Sequence, residues 1–254
     1  MSASPAPVTA AVLIIGDEIL SGRTADVNLN AIARMLTQHG VDLKEARVVG
    51  DEKADIVEAI NALRTRYDYL ITTGGIGPTH DDITADCVAE AFGVPLHEDE
   101  TILDILKSRV GVELNAARRR MARVPEGGFL IKNPVQGPPG FGIGNVFVLA
   151  GVPLIMRGML EDVGPRLKTG VVVQSRTLRV DGFGEGVIAA PLEGVAKAHP
   201  DLSLGSYPFF GEGGFGANLV VRGRDGAEIE AAVAELEAGL REAGIGKVRR
   251  VEST

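Results

Sequence analysis

The densest chemistry in the sequence lies in Thr72-Thr73-Gly74-Gly75-Ile76-Gly77-Pro78-Thr79-His80-Asp81-Asp82-Ile83-Thr84. Glycines at 74, 75 and 77 remove side chains where an apolar run hands over toward a helical one. Consecutive backbone N–H groups can then face an anion, and a helix starting near Ile83 adds the positive end of its dipole. A turn needed only for backbone geometry has the same composition, so the glycines alone leave both readings open. The two acids that follow shift the balance. Asp81 and Asp82 beside a phosphate cradle would repel the ligand unless they bind a cation or manage a proton.

Asp17, Glu18 and Asp51 follow two other apolar runs. In a parallel sheet these strand ends gather at the edge that carries the glycine turn, where carboxylates can share a divalent metal. Taken singly, each acid also reads as a helix cap or a solvated loop residue, Asp51 especially. Asn28 and Asn30 can hydrogen-bond a ligand, and Asn28 reads equally as a cap. His80 reads as a solvated loop histidine and Cys87 as a packed core thiol. The Arg118-Arg119-Arg120 run suits either a phosphate or a solvated helix face.

The elements that must position these residues follow from periodicity. Ala10 to Ile15 is a continuous apolar run, as a buried parallel strand requires. Leu29, Ile32 and Leu36 mark a helix stopping at Gly40, Val41 to Val49 a strand, and Ile56, Ile60 and Leu63 a second helix before the strand Tyr69 to Thr73. A helix from Ala85 to Phe92, helical stretches around Ile102 to Leu106 and Arg118 to Met121, and a strand from Val146 to Ala150 follow. Pro134 to Gly144 reads as a glycine- and proline-rich loop. Alternating strands and helices predict a parallel sheet with helices on both faces. Beyond Gly164 to Gly170 the order is strand (Val171 to Val180), helix (Gly186 to Ala198), two strands (Leu202 to Pro208, Ala217 to Gly223) and a terminal helix carrying Ile229, Val233, Leu236 and Leu240. That βαββα order predicts a small α+β domain with an antiparallel sheet.

Composition narrows the class. The 254 residues are 45% apolar, enough for one large or two smaller domains. A net charge of -8 argues against a nucleic-acid partner, because no long basic run offsets it. A single cysteine rules out an internal disulfide framework and fits a cytoplasmic protein. Residues 1–9 read as a disordered tail rather than a signal peptide, and no segment is apolar enough to span a membrane.

Gly16-Asp17-Glu18-Ile19-Leu20-Ser21-Gly22, Asp26 with Asn28, the Thr73–Thr79 glycine turn with Asp81-Asp82-Ile83-Thr84, and Gly151-Val152-Pro153 resemble the molybdopterin-binding (MoaB/Mog) domain family. The likeness is greatest to the N-terminal part of the CinA, or competence- and damage-inducible, proteins. It implies a three-layer parallel-sheet domain over residues 10–168 and a small α+β domain over 171–254. By residue matching it implies Asp82 and Asp51 as the catalytic acids. Gly74, Gly75, Gly77, Thr79, Asp81 and Asn28 then bind the ligand, and Asp17, Glu18 and Asp82 ligate a divalent metal (Mg, Mn, Co or Ni). The implied ligand is a nucleotide or pterin, and the implied assembly a homodimer or homotrimer with sites near subunit contacts. The CinA branch resembles metal-dependent pyrophosphatases of ADP-ribose-like nucleotides, and a related domain of FAD synthase resembles one that hydrolyses FAD. The Mog branch binds and adenylylates molybdopterin. The amidase domain with which CinA proteins continue is missing before Thr254, so deamidation is not expected. Where such sequences read Leu-Pro-Gly-Val-Pro and then Glu-Met, this one has Ala150 and Ile155, which also admits a non-catalytic nucleotide-binding module.

Overall fold

The structure is a computed structural model describing residues 6–110, 114–135, 137–211 and 214–251. The chain divides into two compact units, Met1–Val171 and Val172–Thr254.

The first unit runs β1 (Val8–Ile15), α1 (Asp17–Leu20), α2 (Asn28–Gln38), β2 (Val41–Val49), α3 (Lys53–Arg66), β3 (Tyr69–Thr73), α4 (Thr84–Phe92), β4 (Leu96–Glu98), α5 (Glu100–Val110), α6 (Ala116–Arg120), β5 (Arg123–Pro125), β6 (Phe129–Ile131), β7 (Gly140–Ile143), β8 (Val146–Leu149) and α7 (Pro153–Val163). Its main sheet has six strands in the order β2-β1-β3-β8-β7-β6. β2, β1, β3 and β8 are parallel, and β7 and β6 complete the sheet antiparallel.

β1 shows why an unbroken apolar run belongs at the centre. Ala11, Leu13 and Ile15 face one side and pack with Ile56, Ile60 and Leu63 of α3, Val88 of α4 and Ile102 of α5. Ala10, Val12 and Ile14 face the other and pack with Ile32 and Leu36 of α2 and Met156 and Val163 of α7. Successive strand residues point to opposite faces, so a strand covered on both sides has no polar position to spare. Each fully buried Leu or Ile contributes about 1.5–3 kcal/mol. α2 ends as its sequence predicts: the chain reverses through Gly40 at φ 70, the left-handed region, directly into β2.

Three expectations need correction. Val8 and Thr9, read as tail, open β1, and Thr9 bonds to Asp68 through both its N–H and its hydroxyl, each at 2.8 Å. Residues 1–5 of that tail lie outside the described residues. Within the stretch read as loop, Gly140–Ile143 is the buried strand β7. Its glycines permit the close packing: a Cβ at Gly140 would strike the Val148 carbonyl, and one at Gly142 the Phe129 ring. Third, β4, β5, β6 and α7 were not recognised. The three strands span three residues each, too short for a period to register, whereas Pro153 at the first turn of α7 was a usable start signal.

The second unit runs β9 (Gln174–Asp181), α8 (Glu185–Ala198), β10 (Ser203–Gly211), β11 (Gly214–Gly223), α9 (Gly226–Glu242) and β12 (Val248–Val251). The strands form an antiparallel sheet ordered β10-β11-β9-β12, with Leu178, Leu219 and Val221 packed on Val233, Leu236 and Leu240 of α9. β9 starts three residues later than Val171. β12 extends the expected βαββα order; its Val-Arg-Arg-Val sequence lacks the alternation that identifies a strand. No described helix is long and apolar enough to cross a membrane.

Candidate functional site

The four parallel strands end at one edge of the first unit. β1 delivers Gly16, Asp17 and Glu18; β2 delivers Gly50 and Asp51; β3 delivers Gly74 and Gly75; β8 delivers Ala150 and Gly151. A cleft of about 370 Å³ opens there, lined by Glu18, Gly74 to Gly77, Asp82 and Gly151, among others.

The glycine turn has to be glycine. Gly74 has φ 107 and Gly75 φ 66, and a Cβ would strike the Ile15 carbonyl oxygen at the first and the Thr84 hydroxyl at the second. Gly74 N–H donates to Leu149 O at 3.2 Å, the buried Thr84 hydroxyl donates to Gly74 O at 3.0 Å, and Thr84 N–H donates to Gly75 O at 3.0 Å. Both oxygens of Asp82 are engaged in the same turn: Oδ1 accepts from Gly77 N–H at 2.6 Å, and Oδ2 accepts from Thr79 N–H at 2.7 Å and from the Thr79 hydroxyl. Arg120 of α6 braces it from outside, its Nη1 donating to the carbonyls of Thr79 at 3.0 Å and His80 at 3.2 Å. Two of the expected anion donors, Gly74 N–H and Gly77 N–H, are therefore committed internally. The N–H groups of Gly75 and Ile76 have no acceptor among the described residues, and both residues belong to the cleft lining.

The acids are arranged beside it. Asp17 and Asp51 exchange bonds: Asp17 N–H donates to Asp51 Oδ2 at 3.0 Å, and Asp51 N–H to Asp17 Oδ1 at 3.3 Å. Asp51 thus caps nothing in α3, whose preceding residue is Glu52. Burial pushes the Asp51 carboxyl above its usual value, and the negative charges of Asp17, Glu18 and Asp81 push the same way against the bond from Asp17 N–H. Among the described residues no three His, Cys, Asp or Glu side chains converge into a metal cage. The donor set fits a hard cation held by one or two carboxylates and completed by ligand phosphates, the usual way magnesium is bound, rather than one enclosed by protein alone.

Asn28, the first residue of α2, faces inward: its Nδ2 donates to Thr73 Oγ1 at 3.0 Å and to Gly151 O at 2.8 Å, tying α2 to β3 and to the turn after β8. Asp26 supplies the cap, accepting from the N–H groups of Asn28 at 3.2 Å and Leu29 at 3.0 Å. His80 is almost fully solvated, and Cys87 is buried in the core. Arg120, expected to face a phosphate or solvent, instead bonds the glycine turn, and Thr73, quoted only as part of the motif, bonds Asn28; nothing local in a basic run or a strand threonine reports a contact 40 residues away. Ala150 and Ile155, the two departures from the family pattern, both line the cleft.

Residues 11–169 match the family described as probable molybdopterin binding domain, and residues 172–249 match FAD synthase, middle domain. A CinA-like protein of Myxococcus xanthus is 32% identical over 246 residues, 91% of this chain and 58% of its own length. A CinA-like protein of Citrifermentans bemidjiense is 39% identical over 76% of this chain and 49% of its own length, so the chain spans about half to three-fifths of these curated relatives. The crystal structure of CinA from Thermoplasma acidophilum, described as of unknown function, superposes with a TM-score of 0.60 at 34% identity over 63% of this chain and 99% of that one. The strand-end glycine turn with its flanking acids thus sits in a chain that belongs to the molybdopterin-binding domain family, among its CinA-like members.

Proposed function

We propose that the cleft binds an ADP-ribose-like nucleotide and that the protein hydrolyses its pyrophosphate with a divalent cation. The observation that carries the reading is the juxtaposition of two uncommitted N–H groups, Gly75 and Ile76, with Asp51, a half-buried carboxylate on which the charges of Asp17, Glu18 and Asp81 act. The N–H pair would hold one phosphate, with Asp82 fixing the turn that presents it. Asp17 and Asp51 would hold the cation against the phosphates, relieving their own repulsion, and Glu18 on the cleft wall would orient the attacking water. A bound divalent ion supplies charge neutralisation for the phosphates and a more acidic water. Water adds to one phosphorus and the bridging P–O bond breaks, so ADP-ribose yields AMP and ribose 5-phosphate.

The test is cleavage of ADP-ribose, FAD and NAD by the purified protein with Mg, Mn, Co or Ni, beside Asp82→Ala. Metal-dependent cleavage lost in the variant supports the hydrolase; no cleavage by a folded protein overturns it. A second reading, binding or adenylylation of molybdopterin in the same cleft, is favoured by the family match over residues 11–169. It requires pterin binding under reducing, oxygen-free conditions. Ala150 and Ile155 on the cleft wall favour a third outcome, nucleotide binding without turnover under any metal.

A further inference from the structure

The cleft is divided by polarity, and strand order sets the division. β1 and β3 bring Glu18 and the glycine turn, whereas β8, the next strand in the sheet, runs into α7 and brings Ala150, Val152, Ile155 and Met159. Ile155 and Met159 stand four residues apart and share one face of α7, and Val152 precedes its first turn. Met156, Leu160 and Val163 of the same helix fill the core, while Val152, 56% exposed, and Ile155, half-buried, leave surface to the cleft.

Both departures from the family pattern shape this wall. Ala150 stands where proline is usual and supplies an N–H, which donates to the Met159 sulfur at 3.5 Å and holds that side chain in place. Ile155 stands where an acid is usual and leaves the wall without a charge. Among the described residues lining the cleft, only Glu18 and Asp82 carry charge, and both Asp82 oxygens are committed to the turn. A phosphate would be met by the Gly75 and Ile76 N–H groups and by no polar side chain of α7 in that lining. Water against an apolar wall is readily displaced by an apolar ring. At about 370 Å³ the cleft suits a small molecule, at the low end of the range of about 300–1,000 Å³ for ligand sites, and is too small for a helix or a second chain.

We propose that Ile155, flanked by Val152 and Met159, is the specificity-determining residue of the site and seats a planar heteroaromatic ring of the ligand, whose phosphate lies at the glycine turn. The proposal rests on reading the cleft as a nucleotide or pterin site. It adds that ligands are selected by a ring seated on α7, so that sugar phosphates and inorganic pyrophosphate bind poorly. Three sources carry that chemistry: an adenine, a flavin and a pterin.

The experiment uses the whole chain with 13C in the isoleucine δ1 methyl groups. It is titrated in Mg with AMP, FMN, a pterin monophosphate, ribose 5-phosphate and inorganic pyrophosphate. Calorimetry reads the affinities, and NMR follows the Ile155 methyl, assigned by its loss in Ile155→Val. A ring seated on this side chain shifts that resonance upfield through its ring current, which pyrophosphate cannot do. At least one ring-bearing ligand is expected to bind about tenfold or more tighter than ribose 5-phosphate, and the one with the tightest binding and largest shift identifies the source. Ile155→Ala should weaken that ligand about tenfold and leave pyrophosphate unchanged. Should Ile155→Ala fail to fold, the ligand series and the wild-type resonance decide alone. The proposal is overturned if ring-bearing ligands bind no better than ribose 5-phosphate, if the methyl resonance stays still on saturation, or if Ile155→Ala weakens pyrophosphate equally. Ring binding with the expected shift but no cleavage of ADP-ribose or FAD sinks the hydrolase reading and leaves this one standing. Cleavage with an unmoved methyl does the reverse, and no binding by any member of the panel sinks both.

Discussion

Replacing Asp82 by Asn tests whether the carboxylate acts by holding the glycine turn. The wild-type side chain accepts from Gly77 N–H at 2.6 Å through one oxygen and from Thr79 N–H at 2.7 Å through the other. Asparagine offers one oxygen and one NH2, so either orientation sets a donor against a backbone donor and removes the charge from the remaining bond. Losing one charge-assisted bond costs about 1.5–3 kcal/mol. The loss falls on the turn itself, which can open locally while α4 and the sheet stay packed. If the closed turn is the binding-competent state, about 2 kcal/mol lowers nucleotide affinity by up to about thirtyfold, with Tm falling by less than about 5 °C. Calorimetric titration with ADP-ribose, paired with thermal unfolding, reads both quantities. Affinity within about threefold of wild type would refute the reasoning. A Tm loss above about 10 °C would show instead that Asp82 holds the fold.

Gly75→Ala should destabilise by about 2–3 kcal/mol, adding left-handed strain to displacement of the buried Thr84 hydroxyl; Gly93→Ala, at φ 67 with open space around it, should cost only the strain, about 1–2 kcal/mol. Urea unfolding of the two variants measures the difference, and equal losses would contradict the packing argument. Asp51→Asn keeps an oxygen for Asp17 N–H while removing one charge from the cluster, so it should raise stability slightly in chelator and raise the half-activating cation concentration about tenfold. Unchanged cation dependence would remove Asp51 from the site. The buried Cys87 thiol is pushed up to about 12, chiefly by burial, and should resist iodoacetamide at pH 8 in the folded protein. Because its folded value lies above the unfolded one, its contribution is complete below about pH 8.5 and is lost as pH rises toward 12, at no more than about 1.4 kcal/mol per unit. Cys87→Ala should flatten that alkaline limb in unfolding titrations.

Ala10–Ile15 of β1 was legible because it is covered on both faces and reads as an unbroken apolar run, and Val41–Val49 and Tyr69–Thr73 fall within the same bounds in sequence and structure, although β2 is an edge strand that carries Asp42, Lys44, Glu45 and Arg47. β7 was not, because Gly140 and Gly142 are there for close packing between neighbouring strands, and local composition cannot distinguish that use from a turn. The gathering of Asp17, Asp51 and the glycine turn at one edge followed from strand order alone. Their couplings did not. Asp82 tied to Gly77 and Thr79, Arg120 reaching the turn from α6, and Asn28 bridging β3 and the turn after β8 are settled by side-chain directions that spacing does not encode. The Asp26 cap was hidden for a related reason: Asn28 is an equally good capping residue by type, and only the tertiary contact to Gly151 draws its side chain inward.

The central claim is that ligand phosphates and the carboxylates of Asp17 and Asp51 complete one cation site between them. Binding of α,β-methylene ADP-ribose, measured calorimetrically in chelator and again at rising Mg, tests this without depending on turnover. Coupled occupancy predicts at least tenfold tighter binding with the cation, and an equal gain in cation affinity when the nucleotide is present. Equal affinity in chelator and in Mg, or no binding in either, would contradict the account.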